Sequence, residues 1–157
     1  MKCLLIVLVA FSIISCSSED TKNAVFISGG VEFNVLDIQG NDLLNPQIES
    51  NFNNTENIKI YFVINGEAVL FDKPNLDLPK GYLIYKKENE DVYRMGLFVN
   101  LEGNTTTTLI KWNNTETDTI KCEIERKGNY YISVSKVWYN NVLKYDGDGE
   151  IYFEIVK

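Results

Sequence analysis

Ile58-Lys59-Ile60-Tyr61-Phe62-Val63-Ile64-Asn65-Gly66-Glu67-Ala68-Val69-Leu70-Phe71 is the stretch on which the fold class turns. Side chains of an extended strand alternate between its two faces, so Ile58, Ile60, Phe62 and Ile64 fall on one side. Asn65-Gly66 follows at once. A type I′ turn needs positive φ at both central residues, and Asn-Gly is the dipeptide that accepts it most readily. Residues 67–71 then return as the second strand of a hairpin.

The same grammar continues in both directions. Short runs rich in Val, Ile, Tyr, Phe and Thr are separated by Asn, Gly, Asp and Pro, and no stretch carries a 3.6-residue period long enough for a helix. Upstream, residues 25–28 and 31–38 form an early strand interrupted by Gly29-Gly30, a bulge or bend signal, and Gly40-Asn41 turns the chain before Pro46. Downstream, Pro74 and Pro79 mark a loop before strands at 82–86, 92–100, 105–112, 117–126, 130–139, 142–145 and 151–157. In residues 117–126 the alternation points Ile120, Cys122 and Ile124 inward and Lys121, Glu123 and Glu125 outward. Trp138 shares the parity of Ile132 and Val134, so it is expected in the core, and the last strand is expected to bury Ile151, Phe153 and Ile155. About nine or ten short antiparallel strands at roughly 8–12-residue spacing predict an all-β domain, an immunoglobulin-like or related β-sandwich. Its hairpin connections predict a meander in part of it.

The N-terminus reads differently. Met1-Lys2 gives a short positive start, residues 4–14 are apolar except Ser12, and Ile13-Ile14-Ser15-Cys16 closes the segment. Eleven residues cannot cross the roughly 30 Å of bilayer hydrocarbon, which takes about 20, so this is a secretory signal peptide and no transmembrane helix. Three units follow: a signal peptide at 1–15, a polar tether at 16–23 and a β-domain at 24–157.

Ile13-Ile14-Ser15-Cys16 resembles the lipobox of bacterial lipoproteins, with Ile where Leu is usual. That resemblance implies acylation of Cys16, which becomes the mature N-terminus and anchors the protein in a membrane. One acyl chain holds only marginally and two or more hold stably. Ser17-Ser18-Glu19-Asp20 is similar to the short acidic tag that routes lipoproteins of the Bacteroidetes to the outer face of the outer membrane. The run from Asp37 to Pro46, the Lys136-Val137-Trp138-Tyr139-Asn140 segment and the closing Ile151-Tyr152-Phe153-Glu154-Ile155-Val156-Lys157 resemble small uncharacterised lipoproteins of gut Bacteroidetes. The resemblance touches both ends of the chain and supplies no catalytic residue to carry over.

Composition narrows the chemistry. Lys2 is the only charge among the first fifteen residues, so the mature 142-residue chain keeps 14 basic and 22 acidic residues, a formal charge of −8. That argues against nucleic acid and against charge-driven binding to anionic lipid. Cys3 leaves with the signal and Cys16 is acylated, leaving Cys122 alone with no disulfide to make. The chain has no histidine. The commonest general base and zinc ligand is therefore unavailable, and with it the Ser-His-Asp and Cys-His mechanisms.

Several residues are candidates for sites. Tyr61, Tyr85, Tyr131 and Tyr139 are candidate ligand-binding residues, because a tyrosine on an exposed sheet face offers an apolar plane with a polar tip on which a sugar ring can stack; cross-strand packing is the competing role. Asp118-Thr119-Ile120 resembles the O-glycosylation acceptor of exported Bacteroidetes proteins, with Thr119 as acceptor. Asp146-Gly147-Asp148-Gly149-Glu150 has alternating carboxylates that suit a hard cation, but the glycine and final glutamate of an EF-hand are missing, and Asp-Gly reads first as a turn. No metal and no cofactor is expected. The sequence therefore points to a non-catalytic, lipid-anchored module at the outer membrane, facing the exterior with the periplasmic face as the alternative, and with a glycan or an envelope protein as partner. A structural subunit of a surface or fimbrial assembly is the alternative, and a glycan-active hydrolase, which needs a raised-pKa acid beside a second carboxylate, is the third reading.

Overall fold

A computed structural model describes residues 24–157 apart from Asn51 and Asp148. The signal segment, Cys16 and the rest of the tether lie outside the described residues. The described chain forms eleven strands and no helix: β1 (Phe26–Ser28), β2 (Gly30–Leu36), β3 (Lys59–Ile64), β4 (Glu67–Leu70), β5 (Tyr82–Lys86), β6 (Tyr93–Phe98), β7 (Thr105–Lys111), β8 (Thr117–Lys127), β9 (Tyr131–Tyr139), β10 (Val142–Tyr145) and β11 (Tyr152–Val156). They build a two-sheet β-sandwich. The larger sheet runs β1-β9-β8-β7-β3-β4 with β10 also paired to β9, and the smaller runs β11-β2-β6-β5.

The hairpins follow from their turns. Asn65 and Gly66 have φ of 53° and 87°, both positive as the β3–β4 turn requires. Asn140 and Asn141, at 45° and 70°, make the tight β9–β10 turn in the same way. From β7 to β10 the larger sheet is an antiparallel meander.

Gly29 is where the chain leaves one sheet for the other. β1 pairs with β9, whereas β2 pairs with β6 and β11. A Cβ on Gly29 would lie 2.8 Å from Leu101 Cδ1, so only glycine lets the backbone cross there undisturbed. The crossing turns one expected strand into two, which raises the count to eleven. It also corrects the expectation of uniformly antiparallel strands, because β1 on β9 and β11 on β2 are parallel.

Between the sheets, Val31, Phe33, Val35, Met95 and Leu97 of the smaller sheet meet Ile60, Ile110, Ile120, Cys122 and Val137 of the larger, all buried. Each fully buried aliphatic or aromatic side chain contributes about 1.5–3 kcal/mol. Phe33 packs edge-on to Trp112 and stacked on Phe153. Cys122 is buried as the alternation of β8 requires, and burial pushes its thiol up to about 12.

Two expectations on β9 are corrected together. The pairing of β8 with β9 steps from Glu123↔Lys136 to Ile124↔Val134, leaving Ser135 as an extra residue in a β-bulge. A bulge reverses the parity of every residue beyond it. Val134 therefore points inward, but so do Val137 and Tyr139, while Trp138 is half-buried on the outer face with Lys121 over its ring. Trp138 is not a core residue, and Tyr139 is.

At the end of the sandwich where β2, β9 and β11 finish, a buried carboxylate ties the sheets together. Asp118 accepts from Trp112 Nε1, from the Tyr139 hydroxyl, from Asn140 Nδ2 at 2.7 Å and from Lys157 Nζ at 2.6 Å. Burial pushes the Asp118 carboxyl up, but the bonds from Lys157, Tyr139, Asn140 and Trp112 outweigh it and hold it below the ordinary range. The Lys157 N–H also donates to Leu36 O, so the chain terminus is held by both sheets.

Candidate functional site

The outer face of the smaller sheet carries the most developed arrangement. Residues alternating with the buried Val31, Phe33, Met95 and Leu97 point away from the core. The β pairing sets them in rows: Tyr152 beside Glu32, Glu32 beside Gly96, Gly96 beside Leu83, and Tyr85 beside Arg94. Glycines at 30 and 96 leave the middle of this face without side chains, and a groove of about 300 Å³ runs over them, bounded by Leu78, Leu83, Tyr85, Phe98 and Glu32. A Cβ on Gly96 would sit 3.4 Å from Tyr85 Cε1 and 3.8 Å from Leu83 Cγ, so the missing side chain is what opens the groove between them.

One end of the groove is walled by charge. Arg94, its side chain only 7% exposed, forks onto Glu90 through Nε at 2.7 Å and through Nη2. Its Nη1 reaches Glu32 at 3.0 Å and Glu150 at 3.4 Å, and its guanidinium lies 3.7 Å from the centroid of the Tyr152 ring. Lys87 joins Glu150 at 2.7 Å and Glu32 at 3.3 Å. Two cations and three carboxylates leave a single net negative charge. Fork-on-carboxylate pairing fixes orientation as well as charge, so this wall is preorganised.

The electrostatics decide what the wall can do. Burial pushes the Glu32 carboxyl up, but the neighbouring Tyr85 hydroxyl, Arg94 and Lys87 outweigh it and hold it below the ordinary range. Glu32 is therefore ionised at neutral pH, an acceptor whose side chain is still 29% exposed at the groove rim. Burial and then Glu32 push the Tyr85 phenol up to about 12, so it stays protonated. An apolar floor, a tyrosine edge and an ionised acceptor can hold a flat, hydroxyl-bearing molecule. A general acid would need a carboxyl pushed upward, and burial alone does not achieve that at Glu32.

The sequence-derived candidates are dispersed. Tyr85 stands at the groove. Tyr61 is half-buried on β3 and Tyr131 half-buried on β9, in the other sheet and with β7 and β8 between them. Tyr139 is in the core with its hydroxyl on Asp118. Thr119 is half-buried on β8, its N–H donated to Asn140 Oδ1 at 2.8 Å, and the adjacent Asp118 is buried. In the segment from Asp146 to Glu150, Gly147 and Gly149 have positive φ, Asp148 lies outside the described residues, and Glu150 pairs with Lys87. Among the described residues, no three His, Cys, Asp or Glu are grouped to hold a metal ion.

Arg94, Glu32, Glu90, Lys87 and Gly96 were missed by sequence reasoning. A single glycine inside the apolar run at 92–100 was the available signal, since glycine in a strand interior marks a close backbone approach or an open face. No family model, curated protein or solved structure matches this chain.

Proposed function

We propose that this chain is a non-catalytic binding module of the cell envelope, lipid-anchored through Cys16 at the outer membrane and facing the exterior, and that it takes a glycan on the outer face of its smaller sheet. The observation that carries the ligand assignment is the glycine-floored groove between Leu83 and Tyr85, with ionised Glu32 at its rim. The apolar face of a sugar ring can lie on the floor against Tyr85 while its hydroxyls donate to Glu32. Held ionised, Glu32 could serve a glycan hydrolase as nucleophile or base but not as the general acid.

Screening the mature protein in detergent against a glycan and polysaccharide array tests this. Saturable binding should be lost in Tyr85→Ala and in Gly96→Val, which fills the groove, and kept in Tyr61→Ala. Binding indifferent to both groove variants, or no retained glycan, would sink the assignment.

A second reading has its own observation. β4 is exposed at all four residues and pairs only with β3 among the described residues. An open edge of that kind offers backbone groups to an envelope partner or to a neighbouring subunit of an assembly. Crosslinking from Val69 in intact cells distinguishes it from the glycan reading.

A further inference from the structure

The described chain starts at the end of the sandwich opposite the Asp118 cluster, and it starts with an uncovered corner. Val25, Phe26 and Ile27 are 63%, 52% and 58% exposed, and Tyr130 is 49% exposed. Phe26 N–H donates to Tyr130 O at 2.7 Å, the Phe26 ring stacks on Tyr131 with centroids 5.2 Å apart, and Lys127 Nζ lies 5.1 Å from the Tyr131 centroid. Neighbouring residues of a strand point to opposite faces, so exposure of Phe26 and Ile27 in succession, with Val25 exposed just before them, leaves both faces of β1 open to solvent at its start. Scattered exposed apolar residues are ordinary, but here aliphatic side chains, aromatic rings and a cation meet at one place. Rings with a polar tip beside a lysine are the chemistry of a membrane–water boundary.

We propose that this corner seats in the interfacial layer of the bilayer that holds the anchor, between phospholipid headgroups and acyl chains. The inference rests on acylation of Cys16. Nine peptide steps separate Cys16 from Val25, and whatever their conformation they span at most about 32 Å at roughly 3.6 Å each. The bare corner is thus the part of the domain that the anchor keeps nearest to lipid. β2 runs away from it, carrying the exposed Ile38 beyond Leu36, a further strand length of roughly 23 Å. Charge does not drive the contact, since the mature chain is net negative and Lys127 is itself paired with Glu125 at 3.2 Å. Apolar burial does. With the corner seated, the strands rise from the membrane and the groove over Gly96 stands on the flank of the domain, open to solvent.

Tryptophan reporters introduced one at a time into the full lipidated protein, reconstituted into phosphatidylcholine vesicles with and without brominated acyl chains, test the seating. The background is Trp138→Phe, which keeps buried Trp112 as an internal reference. Phe26→Trp should lose fluorescence in brominated vesicles, and Ile38→Trp should not; Val25→Trp is a second reporter if Phe26→Trp disturbs the stack on Tyr131. Protein that floats with the vesicles while Phe26→Trp and Val25→Trp stay unquenched would overturn the seating and leave the anchor standing. Quenching of Ile38→Trp as well would overturn it by showing that another face lies on the lipid. Protein that does not float and carries no acyl mass would remove the anchor, and the seating with it.

Discussion

Asp118 shows how much one residue can hold and how little of that is visible in its neighbours along the chain. In the sequence it belongs to Asp118-Thr119-Ile120 and reads as a surface motif. In the fold it accepts from residues 112, 139, 140 and 157, which come from a strand end, a turn and the chain terminus. No local pattern joins those four positions. Removing a buried carboxylate leaves its donors unpaired, and breaking one side of a buried pair costs about 3–5 kcal/mol. Asp118→Ala should therefore lower the unfolding free energy by about 3 kcal/mol, read from the denaturant midpoint, with Asp118→Asn less harmful because it still accepts one bond. A midpoint unchanged in Asp118→Ala would mean that the cluster contributes nothing net. Trp138 and Tyr139 carry the same lesson, since one bulged residue exchanged their places and nothing at 130–139 announces where a bulge falls.

Elements were far more legible. Asn65-Gly66 predicted both the β3–β4 hairpin and its turn type, because the φ requirement is local and Asn-Gly meets it without help from the rest of the fold. A Cβ on Gly66 would have nothing within 4 Å, so the cost of a side chain there is conformational alone. Gly66→Ala should destabilise by about 1–2 kcal/mol, the penalty of a left-handed backbone for an L-residue. Gly96→Val is the counterpart: its φ is not in the left-handed region, and its environment is an open sheet face. It should leave the denaturant midpoint unchanged or raise it, which is why losing glycan binding in that variant would report on the groove and not on folding. The Gly29-Gly30 signal predicted an interruption but not its kind, because a bulge and a crossing between sheets begin with the same residues.

The whole molecule has an acid limit set by Asp118 and Glu32, which are held below their ordinary values against burial, while Asp37 at the surface is lowered by its local bonds, chiefly those from Asn41. Burial opposes the ionised form at Asp118 and at Glu32, and the cations and donors facing them win. With native-state pKa values below the unfolded ones, the unfolded chain binds protons first. Their stabilisation is complete above the ordinary carboxylate range of about 4 and is lost as the pH falls through the lowered native values. The denaturant midpoint should be flat from neutrality to about pH 5 and fall below it, and Asp118→Asn should flatten that fall. An equally steep fall in Asp118→Asn would assign the acid limit elsewhere. By itself the sequence determined the all-β class, most strand positions and the hairpin turns, because alternation and turn chemistry act over a few residues. Only the tertiary structure decided the sheet partners, the two parallel pairings, the parity beyond Ser135 and the groove beside Arg94. Those features depend on residues distant in the chain meeting across a sheet, and one residue of register decides which side chains meet.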